Sequence, residues 1–121
     1  MISAAIQTEL KKIITNTYLA MGDEGIVAPY CVHKEAGTPQ VLKQGLIGYS
    51  YACEVLIIDK TPESVETLAM RIKTALEALE GTTTNSTKID SVEFVGDAPD
   101  YDMESKLYIN ILSFTIETSN R

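Results

Sequence analysis

The sequence predicts an α+β fold. It reads as a single domain, residues 1–121, with a mainly antiparallel sheet of about four strands and two helices in the order α-β-β-α-β-β. Three observations carry this reading. The 61–80 segment repeats apolar residues at helical spacing between capping signals. The 49–58 and 106–118 segments alternate with the two-residue period of a strand. No internal repeat and no linker interrupts the 121 residues, a length sufficient for one domain with a hydrophobic core.

The elements follow in chain order. From Ser3 to Ile14, Ile6, Leu10, Ile13 and Ile14 fall on one helical face, and Gln7, Glu9, Lys11 and Lys12 fall elsewhere. Thr15-Asn16-Thr17 ends the pattern, Tyr18-Leu19-Ala20 reads as a short extended piece, and Gly22-Asp23-Glu24-Gly25 as a turn. Pro29 to Lys34 reads as a strand with proline at its start, where a missing amide does least harm. A long connection punctuated by Gly37, Gly45 and Gly48 follows. It holds Val41, Leu42, Leu46 and Ile47, more apolar content than a solvated loop carries.

Tyr49 to Ile58 is the clearest strand, with Tyr51, Cys53, Val55 and Ile57 on one face and Ala52, Glu54, Leu56 and Ile58 on the other. Thr61 to Glu80 is the clearest helix. Thr61 is a natural N-cap, Pro62 suits the first helical position, and Glu63 and Glu66 favour the positive end of the helix dipole. Val65, Leu68, Ala69, Ile72, Leu76 and Leu79 form its apolar stripe. Gly81 is placed as the left-handed residue that ends it, and Thr82 to Thr87 loops back. Ile89–Val95 and Lys106–Thr118 are two further strands joined by an acidic turn from Asp97 to Glu104.

The last strand is apolar on both faces. Leu107, Ile109 and Ile111 point one way, while Tyr108, Leu112, Phe114 and Ile116 point the other, with Asn110 among them. A strand with one solvated face alternates apolar and polar residues. Two short helices cover one face of such a sheet, so the other needs the 37–48 segment folded back on it or another subunit. Val41, Leu42, Leu46, Ile47, Leu107, Ile109 and Ile111 are therefore the candidate interface.

Composition excludes some functions. With a net charge of −7, the chain lacks the excess of Lys and Arg that phosphate binding requires. No signal peptide is read at the N-terminus and no membrane span, since the longest apolar runs are far short of 18 residues. Cys31 and Cys53 fall in strands without metal-ligand spacing and are expected as reduced, buried thiols. The single histidine, His33, has no partner visible in sequence and reads as a strand-face or edge residue. Asp97, Asp100, Asp102 and Glu104 miss the calcium-loop spacing, which needs carboxylates at loop positions 1, 3 and 5 and a glycine at 6. Capping explains Ser3, Thr61 and Ser64. Phosphate-loop, nucleophile-elbow and zinc motifs are absent. The expectation is a protein without enzymatic activity, cofactor or metal.

Four pieces in order carry a resemblance to a family. These are the amphipathic opening helix followed by Tyr18, the strand Val27-Ala28-Pro29-Tyr30-Cys31-Val32, and the strand Tyr51–Ile58 running directly into the helix Thr61–Leu79. The fourth is the block Ile89-Asp90-Ser91-Val92-Glu93-Phe94, then Asp100-Tyr101-Asp102, then Leu107-Tyr108 and Ile111–Ile116. Over nearly its whole length the chain resembles the tail-completion, or tail-terminator, proteins of long-tailed bacteriophages and prophages. It departs at Leu19, where that family has proline. The resemblance implies a virion structural protein without catalytic residues. It implies a homo-oligomeric ring, usually a hexamer, on the head-proximal end of the tail tube, which ends tube growth and enables head-tail joining. The implied partners are copies of itself, the tail-tube protein and head-tail connector proteins, with DNA only as passing cargo and no membrane. The implied locations are the host cytoplasm during assembly and then the virion tail. The alternative is a bacterial ferredoxin-like module that binds a small ligand or regulates.

Overall fold

The computed structural model describes residues 2–19, 27–41, 47–84 and 87–120. In chain order it contains helix α1 (Ile2–Lys11), strands β1 (Thr17–Leu19), β2 (Tyr30–Val41) and β3 (Ile47–Asp59), helix α2 (Pro62–Glu77), and strands β4 (Thr83–Thr84), β5 (Thr87–Asp102) and β6 (Leu107–Asn120). The two helices and four long strands keep the expected order. The sheet has six strands rather than about four, in the order β1-β2-β3-β6-β5-β4. The additions are short: β1 pairs parallel with β2, and β4 pairs antiparallel with the start of β5. The long strands pair antiparallel throughout.

Three local expectations are corrected. The 37–48 segment is not a long connection: β2 runs on to Val41 and β3 starts at Ile47, with Val41 and Ile47 in register. Gly37 does not break the strand, because the Tyr51 ring lies across it. A Cβ at that glycine would stand 2.6 Å from Tyr51 Cε1. The acidic stretch is likewise strand. Asp97 to Asp102 pair with Leu112 to Leu107, and the turn shrinks to residues 103–106, with Lys106 at φ 58°. Finally, α2 ends at the C-cap Ala78. Gly81 serves the next turn at φ +84°, its amide donating to the Ile89 carbonyl at 2.7 Å.

Both helices lie on one face of the sheet and share one core. Ile2, Ile6, Leu10 and Ile14 from the first segment meet Val65, Ala69, Ile72 and Leu76 of α2 over Cys53, Val55, Ile57, Leu112, Phe114 and Ile116. Leu68 and Leu79 of the expected α2 stripe are only partly buried. Thr61 caps α2 as read, its hydroxyl accepting from the Ser64 amide at 3.2 Å. Among the described residues no helix is long and apolar enough to cross a membrane.

Candidate assembly surface and polar clusters

The face of the sheet turned away from the helices is built from cross-strand rows. Directly paired residues share a face, so register assigns them. One row is Tyr30, Ile58, Ile109 and Asp100, and the next is Val32, Leu56, Ile111 and Ala98. The third is Lys34, Glu54, Ser113 and Gly96, in which Lys34 Nζ stands 3.3 Å from Glu54 Oε1. Beyond it the rows turn small and polar, with Ala36, Ala52 and Thr115, then Thr38, Ser50 and Glu117. The result is an apolar band two rows deep, closed off by an ion pair on one side and by Asp100 and Asp102 near β5. Neither helix covers it. Ile58 is buried yet stands outside the helix-side core cluster.

The sequence-derived interface residues divide accordingly. Leu107, Ile109 and Ile111 are half-buried on the open face. Ile109 and Ile111 sit at the centre of the band, and Leu107 pairs with Asp102 at its end. Val41 and Ile47 pair at the far end of the β2–β3 hairpin, well away from the band. Leu42 and Leu46 lie outside the described residues. Sequence reading missed Tyr30, Val32, Leu56 and Ile58 as members of this surface. The alternation puts Leu56 and Ile58 on one strand face, but only the register with β2 joins them to Tyr30 and Val32.

The sheet's flanks are poorly suited to adding a strand. β1 covers only Cys31 to His33 of β2, and β4 only Thr87 and Lys88 of β5. The long remainders carry Pro39 and Pro99, which lack an amide proton to offer a neighbouring strand. The Val92 amide is already taken by Glu80 Oε1 at 3.0 Å.

A buried polar cluster ties α1 to the sheet. His33 is fully buried rather than at an edge, and its partners come from 26 residues upstream and two residues on. Gln7 donates through Nε2 to the Thr17 carbonyl at 3.0 Å, which turns its Oε1 toward His33 Nε2. His33 Nδ1 lies 2.8 Å from Glu35 Oε2. The Cys53 thiol donates weakly to the same carboxyl oxygen at 3.8 Å. Burial, then the Glu35 charge, pushes the Cys53 thiol far above its ordinary value. Cys31 is raised by burial, partly offset by its hydrogen bond with Thr17. Both cysteines are free and buried.

At the N-terminal end of α2 lies a cleft of about 260 Å³, lined by Pro62, Val65, Glu66, Pro99, Tyr108 and Asn110 together with Asp97. Asp100 and Ile109 complete its lining, so three carboxylates, Glu66, Asp97 and Asp100, border the one cleft. Asp97 pairs with Leu112 on the helix side, whereas Asp100 and Asp102 pair with Ile109 and Leu107 on the other. Among the described residues no group of three or more His, Cys, Asp or Glu is placed to hold a metal ion.

Fold and surface together define a small α+β protein with one face of its sheet packed by both helices and, among the described residues, no helix on the other. No protein-family model matches the chain, and no curated protein does. Among solved structures its fold is similar to that of a chain in the virion of a native gene transfer agent (GTA) particle. The TM-score is 0.75 and the identity 14%, over 97% of this chain and 93% of that one. At that identity the likeness is one of fold.

Proposed function

We propose that this protein is a non-enzymatic virion assembly component of the tail-terminator type. In this reading it forms a ring, hexameric in the family it resembles, on the head-proximal end of a tail tube. The ring ends tube growth and presents a surface to the head-tail connector. Assembly takes place in the host cytoplasm, and the protein stays in the virion tail. The observation that carries the reading is the half-buried apolar band of Tyr30, Val32, Leu56, Ile109 and Ile111, which neither helix covers. A lone subunit leaves part of this surface wet, at about 25 cal/mol for each Å² of apolar area. A closed ring of identical, heterologous contacts buries it with no dangling patch. The fold likeness to a chain of a gene transfer agent virion supports the same reading, and a net charge of −7 suits a lumen through which DNA passes without sticking.

The test is electron microscopy of the purified protein mixed with tail tubes from its own particle, with light scattering over a wide concentration range. Rings on tube ends, or an oligomer that grows with concentration, are expected. A strictly monomeric protein that ignores the tubes would overturn the reading in favour of a small-ligand-binding module.

A further inference from the structure

The cleft beside the start of α2 has a chemical character that assembly through the open face does not use. Asn110 is part of its lining and is 7% exposed. Its Nδ2 donates to Asp97 Oδ2 at 3.3 Å, which fixes the amide's orientation and leaves Oδ1 as the buried oxygen without a hydrogen-bond partner. A buried acceptor left unpaired costs roughly 1–3 kcal/mol, and this one belongs to a residue that lines the cleft. The carboxylates of Glu66, Asp97 and Asp100 belong to the same lining, with Ile109 at its border with the open face, and no Lys, Arg or His does. The walls are flat and apolar: Pro62 and Val65 from the first turn of α2, Pro99 from β5, and the ring of Tyr108, which is braced by Tyr101 at 4.7 Å between centroids.

We propose that this cleft receives the guanidinium group of an arginine side chain from a neighbouring protein in the assembly. Guanidinium is planar, carries five N–H donors and no acceptor, is weakly hydrated on its faces, and stacks on aromatic rings. Those properties complement a slot with apolar walls, an unpaired carbonyl oxygen and carboxylates. A compact, strongly hydrated ammonium matches the charge but not the walls. An anion is repelled by Glu66 and Asp97. The identity of the partner rests on the assembly reading, whereas the cleft belongs to the isolated subunit and is tested on it alone.

The experiment is a nuclear magnetic resonance titration of the isolated, isotope-labelled protein with agmatine, an arginine side chain free of its backbone. The Asn110 side-chain amide signals and the backbone signals of Glu66 and Asp97 are expected to shift and saturate in the millimolar range. Butylamine is expected to bind at least several-fold more weakly. Asp97→Asn is expected to weaken agmatine binding about tenfold. Should that variant unfold, Glu66→Gln on the exposed side of α2 keeps the test alive, with a loss of a few-fold expected. Saturable shifts at Asn110 that disappear in the variants establish the slot. Absence of saturation at Asn110, equal affinity in the variants, or the same shifts with calcium or acetate would overturn it.

Discussion

Cys53 and Glu35 share a pocket of the core that water does not reach, and their contact has a measurable consequence. A thiolate there would face both a low dielectric and a carboxylate, so the thiol stays protonated well into the alkaline range. Cys31 is held protonated by burial as well. At pH 8 both thiols of the folded protein are therefore expected to resist a disulfide reagent for as long as the fold persists, and both should react within seconds in denaturant. Stability carries the same signature. The thiol pKa is higher in the folded than in the unfolded chain, so the folded state holds the proton more tightly. That contribution is complete below the unfolded value of roughly 8.5 and is lost as pH rises above it. Chemical denaturation from pH 7 to pH 10 should show stability falling. Replacing Cys53 with alanine should flatten the fall. Rapid labelling of the native protein at pH 8 would contradict the burial of both groups.

At the scale of elements, α2 shows which local signals were legible and which were not. Its start was readable because Thr61, Pro62 and Ser64 settle it locally, whereas its end was displaced because Gly81 answers to a hydrogen bond with Ile89, a residue in another element. The same distinction explains β2 and β5. Gly37 and Pro39, like Pro99, resemble turn residues until long pairing partners hold them in register, and a ladder contributed by a distant strand outweighs local propensity. His33 could be placed on its strand, but not with Gln7 and Glu35, since nothing local ties residue 7 to residue 33. Two substitutions probe this element. Thr61→Ala removes the cap and should cost about 1 kcal/mol, a fall of roughly 3–5 °C in Tm for a chain of this size. Leu76→Asp places a charge without a partner at a fully buried position and should prevent folding altogether. Leu68, only partly buried, should tolerate the same change far better. Circular dichroism melts of the three variants decide the order, and a stable Leu76→Asp protein would contradict the packing of α2 on the sheet.

At the scale of the whole molecule, the sheet separates two tasks. Its helix side holds the core, and its other side holds an apolar band whose rows cross β2, β3 and β6. Both faces of β6 read as apolar in sequence, but which strands complete the band depends on register, and register is set by pairings as distant as Gly48 with Ser119. The last prediction follows from that division. Leu56 and Ile111 are direct cross-strand partners, half-buried, with no helix above them. Replacing both with threonine keeps strand propensity and removes apolar surface only where the subunit is open. Stability of the isolated subunit should change by no more than about 1 kcal/mol, as for surface positions generally. Self-association and tube capping should weaken tenfold or more, because the lost area lies at the centre of the proposed contact, where binding energy concentrates. Light scattering and urea denaturation of the same double variant separate the outcomes. Unchanged association would move the contact to another surface. A loss of several kcal/mol from the isolated subunit would mean that the band is covered from within the chain, which would leave the ring without the surface that argues for it.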